Sequence, residues 1–171
     1  MTSSSQLLVD GFTRVHDTVH GVVDGLGLEA LVYRPDPQAN PIGWLVWHLT
    51  RVQDDHVADV AGAEQRWTAE GWDTRFALPF DRLATGYGQD PGEAGLVAVE
   101  PAFLLGYHDA VHATTTEYVS RLVDADLDRI VDTRWDPPVT LGLRLVSVLA
   151  DDLQHAGQAA YVRGMFERRS R

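Results

Sequence analysis

The stretch VLADDLQHAGQAAYVRG, residues 148–164, constrains the fold of this chain more than any other. Val148, Leu149, Ala159 and Val162 recur at helical spacing, and His155 falls on the same stripe. Asp151 lies one turn before His155 and Asp152 lies three residues before it, so either carboxylate can point the same way as the imidazole. Inward-facing carboxylates and histidines are costly to bury without a partner, and a divalent metal is one such partner. A second histidine, His48, lies far upstream in a similar apolar segment, between Leu45 and Val52. The sequence therefore predicts a metal held between two helices by His48, His155 and one of the two aspartates. Periodicity leaves Asp151 and Asp152 open, the spacing equally fits a plain aspartate–histidine ion pair, and His48 taken alone reads better as a hydrogen-bonded core residue than as a ligand.

Four long helices are predicted, over residues 5–25, 41–61, 101–123 and 140–167. Thr2 to Ser5 supply N-cap candidates for the first. Asn40-Pro41 reads as a cap and first turn for the second, and Thr140 as a cap for the fourth. The expected architecture is all-α: a four-helix bundle forming one domain over residues 1–171, with a long crossover between helices two and three. That crossover, residues 62–100, interleaves Trp67, Trp72, Phe76, Phe80 and Tyr87 with Gly, Pro and Asp. It is long enough to cross the bundle, so its flanking helices need not be antiparallel neighbours. Its aromatics suit either a lid over a substrate or a staple across the bundle end. Asp54, Asp55 and Asp59 read as the solvated side of the second helix. Two further pairs, His16 with His20 and His108 with His112, share the four-residue spacing. The first pair reads as bordering a solvated face, and the second is the main rival to the site favoured above.

Composition narrows the partners. The formal net charge is -11, which argues against nucleic acid or an anionic membrane surface. No run of some 18 apolar residues is present. The opening MTSSSQLLVDGF lacks the basic-then-apolar order of a secretory signal, so the expectation is a cytoplasmic protein. There is no cysteine, so any thiol chemistry must use a thiol carried by a small molecule.

The segments NPIGWLVWHLTRVQDDH (40–56) and DDLQHAGQAAYVRG (151–164) resemble the DinB-like metalloenzyme superfamily. RPDPQANPIGWLVWHL (34–49) is similar to that family's connector and second helix. The nearest likeness is to the actinobacterial branch of mycothiol-dependent maleylpyruvate isomerases and thiol transferases. The resemblance implies a metal bound by one histidine of helix two and a (His/Glu)xxxHis pair of helix four, here His48, Asp151 and His155. Aspartate stands where the family usually has His or Glu, and the motif favours Asp151 over Asp152. It further implies an enzyme that uses a divalent metal (zinc first, with nickel, iron or manganese also suited) to activate a mycothiol-like thiol for S-transfer or isomerisation of a small substrate. Gln158 and Arg163, further along helix four, are the expected cofactor-binding residues. Two alternatives stand beside this reading. One is a hydrolase using metal-bound water. The other is a non-enzymatic metal- or ligand-binding bundle, a homodimer joined through exposed Trp67, Trp72 and Phe76.

Overall fold

A computed structural model describes residues 2–169. In chain order the elements are α1 (Ser4–Val23), α2 (Leu28–Leu31), α3 (Ile42–Ala61), α4 (Arg66–Ala69), α5 (Trp72–Phe76), α6 (Pro91–Ala94), α7 (Pro101–Ser120), a 3-10 turn (Asp124–Asp128), β1 (Ile130–Asp132), β2 (Val139–Thr140) and α8 (Leu141–Arg169). The predicted helices one to four are α1, α3, α7 and α8, and the bundle is the expected all-α architecture. Ser3 caps α1 through a capping box with Gln6. The Thr140 hydroxyl accepts from the Leu143 N–H at 3.2 Å, so the predicted cap of α8 is present. Asn40 is not the cap of α3: Pro41 occupies the N-cap position, with no side-chain cap. The short antiparallel pair β1–β2 was not expected, because two- and three-residue strands are too short to show alternation.

Contacts fix the order of the bundle. α1 packs on α7 and α8, and α3 packs on the same two helices, so the seams α1/α7 and α3/α8 lie on opposite sides. Cross-helix pairs fix the directions. His108 meets Thr50 and Tyr118 meets Val60, so α3 and α7 run parallel, as a long crossover permits. His155 lies against His48 and Arg144 meets His56, so α3 and α8 run antiparallel. The α1 stripe Phe12, Val15, Val19, Val22 and Val23 is buried, as are Leu45, Leu49 and Val60 of α3 and Leu145, Val148, Ala159 and Val162 of α8. Burying one such larger side chain stabilises the fold by roughly 1.5–3 kcal/mol. Among the described residues, no helix is long and apolar enough to cross a membrane.

The crossover is a staple. Trp67, Trp72 and Phe76 are only 3%, 8% and 5% exposed, so they are unavailable as the dimer interface considered from sequence. Their rings surround Tyr107 of α7 at centroid distances of 5.1, 5.9 and 5.8 Å. Asp54, expected in solvent, is buried at the root of this staple. Its carboxylate accepts from the Arg66 and Trp67 N–H groups at 2.9 and 2.8 Å and from the Tyr107 hydroxyl at 2.8 Å. Arg51, fully buried, stands 3.6 Å away. Burial pushes the Asp54 carboxyl up, against the pull of these donors.

Candidate metal centre

The α3/α8 seam brings His48, Asp151 and His155 together, with one potential ligand atom of each within 4.8 Å of the others. The His48 and His155 rings stand 4.8 Å apart, centroid to centroid, at 77°. His155 Nε2 is 3.6 Å from Asp151 Oδ1. Two donors on one tetrahedral ion stand roughly 3.3 Å apart, for bond lengths of about 2.0–2.1 Å.

Each imidazole has its other nitrogen engaged by an oxygen. His48 Nδ1 lies 2.5 Å from the Thr85 carbonyl, which only accepts, so Nδ1 carries the proton and Nε2 keeps its lone pair. His155 Nδ1 donates to Gln158 Oε1 at 2.9 Å, which leaves its Nε2 facing Asp151. An outer oxygen that fixes the tautomer in this way is the usual support of a metal-bound histidine. Trp44 stacks on His48 at 4.5 Å and 14°, and its indole N–H donates to Gln89 Oε1 at 2.7 Å. Asp151 Oδ2 is buried with no hydrogen-bond partner among the described residues. Two imidazole lone pairs and one carboxylate with an orphaned oxygen fit a divalent cation.

Charge follows the same arrangement. Burial pushes the Asp151 carboxyl up, but His155 and His48 outweigh it and hold it below the usual range. His155 is pushed down by burial and raised on balance by Asp151 and Gln158. Burial holds His48 down.

Asp152 stands outside this cluster. It is fully buried, neither oxygen has a partner among the described residues, and burial together with the Asp151 charge pushes it well up. Geometry therefore gathers Asp151. His108 and His112 do not join the centre. His108 is buried with Nδ1 3.0 Å from the Thr50 hydroxyl, and burial pushes it down to about 3. His56 faces Arg144 toward the other end of α3.

A cavity of about 630 Å³ opens one turn from both histidines, lined by Asp36, Asn40, Leu45, Gln158 and Tyr161 among others. Gln158 thus touches both His155 and this space. Arg163 is placed elsewhere. Its Nη1 donates to the carbonyls of Gly21, Val22 and Asp24, each at 2.9 Å, and clasps the end of α1. Sequence reading missed Thr85, Gly86 and Gln89, which support the centre from the crossover. Gly86-Tyr87-Gly88 signals a turn, but nothing in it says which side chain the turn will meet.

A search of curated proteins returned no match. Among solved structures, one described as "the conserved protein of locus from Enterococcus faecalis" is similar with a TM-score of 0.89 and 29% identity, over 95% of this chain and 96% of that one. A profile of the DinB superfamily matches residues 12–159, and with most of its length so matched the chain belongs to that superfamily.

Proposed function

We propose that this chain is a metal-dependent enzyme in which His48, Asp151 and His155 hold a divalent cation, zinc first, and which activates a low-molecular-weight thiol of the mycothiol type for S-transfer or isomerisation of a small substrate. The observation that carries the reading is the convergence of two tautomer-fixed imidazoles and a carboxylate with an orphaned oxygen beside a cavity of about 630 Å³. When bound, such a metal supplies Lewis acidity and makes a coordinated thiol or water ionise near neutral pH. Everything else falls to the chain's own residues. Thr85 and Gln158 hold the two rings in register. Trp44 covers one face of His48 and keeps water from it. Asp36, Asn40, Gln158 and Tyr161 offer the cavity polar groups suited to a hydrophilic thiol. With Arg163 engaged by α1, Gln158 is the cofactor-facing residue this reading retains. The absence of cysteine favours a thiol that arrives from outside the chain.

The test is metal content by plasma mass spectrometry on untagged protein, followed by turnover with and without mycothiol. The loss of one ion per chain in both His48→Ala and His155→Ala, with thiol-dependent turnover, is the expected result. Gln158→Leu should weaken metal affinity by about 10–100-fold, because it frees the His155 ring. A metal stoichiometry unchanged from wild type in both histidine variants overturns the site. Turnover that ignores the thiol overturns the thiol chemistry and selects the hydrolase.

A further inference from the structure

We infer that His16, His20 and Asp109 form a second divalent-metal site on the α1/α7 seam, opposite the α3/α8 centre and independent of it.

Four-residue spacing puts His16 and His20 on one face of α1, with ring centroids 4.4 Å apart. Asp109 of α7 projects between them. Its Oδ1 lies 2.9 Å from His16 Nε2 and 2.7 Å from His20 Nε2. These three atoms satisfy the same proximity as the donors of the α3/α8 centre.

The hydrogen-bond pattern is compatible with a cation. A carboxylate oxygen only accepts, so both Nε2 atoms must donate to the same Oδ1. His16 has a second carboxylate at its other nitrogen, with Asp17 Oδ1 3.4 Å from Nδ1. A neutral His16 ring can donate to one of these oxygens and must turn a lone pair toward the other. A metal at the Nε2 atoms removes the conflict, as a second proton on the ring would. His16 then donates Nδ1–H to Asp17, the outer carboxylate that commonly orients a metal-bound histidine.

The geometry needs little change. Donors on a tetrahedral ion stand roughly 3.3 Å apart, so Asp109 Oδ1 must retreat about half an ångström from each ring. The side chains of His16, His20 and Asp109 are 24%, 33% and 50% exposed, which leaves an entry path and room for water as further ligand. His112 stacks on His16 at 4.3 Å and limits how far that ring can turn. Two imidazoles and one carboxylate suit zinc, nickel or cobalt better than magnesium or calcium.

The test is calorimetric titration of untagged protein with nickel and with zinc, run on wild type, His16→Asn/His20→Asn and Asp109→Asn. All three residues are exposed enough for the variants to fold, and metal-free thermal melts confirm that they do. The expected result is one ion per chain fewer in the double variant, and at least tenfold weaker binding at that site in Asp109→Asn, which keeps an accepting oxygen but loses its charge. The ion in question should persist in His48→Ala and His155→Ala. Unchanged stoichiometry and affinity in both α1/α7 variants overturns the inference. A single ion that disappears with His48→Ala overturns it while leaving the proposed function standing. A single ion that disappears only with His16→Asn/His20→Asn does the reverse.

Discussion

Replacing Gly86 with alanine tests whether the crossover holds His48 in place. Gly86 has a φ of +93°, and a Cβ built there meets His48 Nδ1 at 2.7 Å, Trp47 Cζ3 at 3.0 Å and Trp44 Cζ2 at 3.2 Å. The backbone conformation alone costs an L residue about 1–2 kcal/mol. The three rings are buried, so none can swing into solvent, and the overpacking adds roughly 1–3 kcal/mol. Each kcal/mol lowers the melting temperature of a domain this size by about 2–4 °C, so the total predicts a fall of roughly 4–20 °C. Relief by retreat of the loop would pull the Thr85 carbonyl from His48 Nδ1 and weaken metal binding by about 10–100-fold. Gly88 is the control: its φ is +76°, but none of the described residues lies within 4 Å of a built Cβ. Gly88→Ala should carry only the backbone part, about 1–2 kcal/mol, and leave metal affinity alone. Thermal melts of metal-free protein and a metal titration read both effects. If the two variants melt alike and bind metal alike, the contact between Gly86 and His48 has no energetic weight and the reasoning fails.

Asp54→Ala strands the buried Arg51 guanidinium and leaves the Arg66 and Trp67 N–H groups without their acceptor, so urea unfolding should show a loss of about 3–5 kcal/mol. Tyr107→Phe removes only the hydroxyl that links Arg51 to Asp54, and should lose about 1.5–3 kcal/mol; equal losses in the two variants would refute this ordering. Asp132 accepts from Arg134 at 2.8 Å and Arg144 at 3.0 Å, and Arg134 holds its carboxyl well below the usual range. Its folded pKa is depressed, so the stability it contributes is present above the ordinary aspartate range of about 3.9 and is lost as pH falls through the depressed value. The stability gap between wild type and Asp132→Asn should therefore be widest near neutral pH and close on acidification; a gap independent of pH contradicts the pairing.

Periodicity made α3 and α8 legible, because it encodes which face of a helix is buried, and the two histidines on those faces could be paired from their spacing among apolar residues. It left Asp151 and Asp152 open, since adjacent residues differ by less than a third of a helical turn and both can lean toward His155. Packing separates them: Asp152 is fully enclosed while Asp151 reaches the seam. Asp54 was misread because its environment is not local. The amides that hold it belong to residues 66 and 67, twelve and thirteen positions away. The Thr85 carbonyl was invisible for a simpler reason, since every residue carries one and the sequence gives no sign of where a loop will deliver it.

The same loop decides where ligand selection can reside on the proposed reading. A crossover whose Trp67, Trp72 and Phe76 are locked around Tyr107 cannot open and close over a substrate without unpacking the core. Of its aromatics, Tyr87 stands free, at 93% exposed. The wall of the cavity comes instead from the connector after α2, through Pro35, Asp36, Ala39 and Asn40. Arg34 pins that connector from within, donating to the carbonyls of Ala39 and Pro37. Asp36 and Asn40 on this pinned strip face Gln158 and Tyr161 of α8 across the cavity. Substitutions at these four positions should change which small molecule binds, while substitutions at Trp67 or Phe76 should change only whether the bundle holds together.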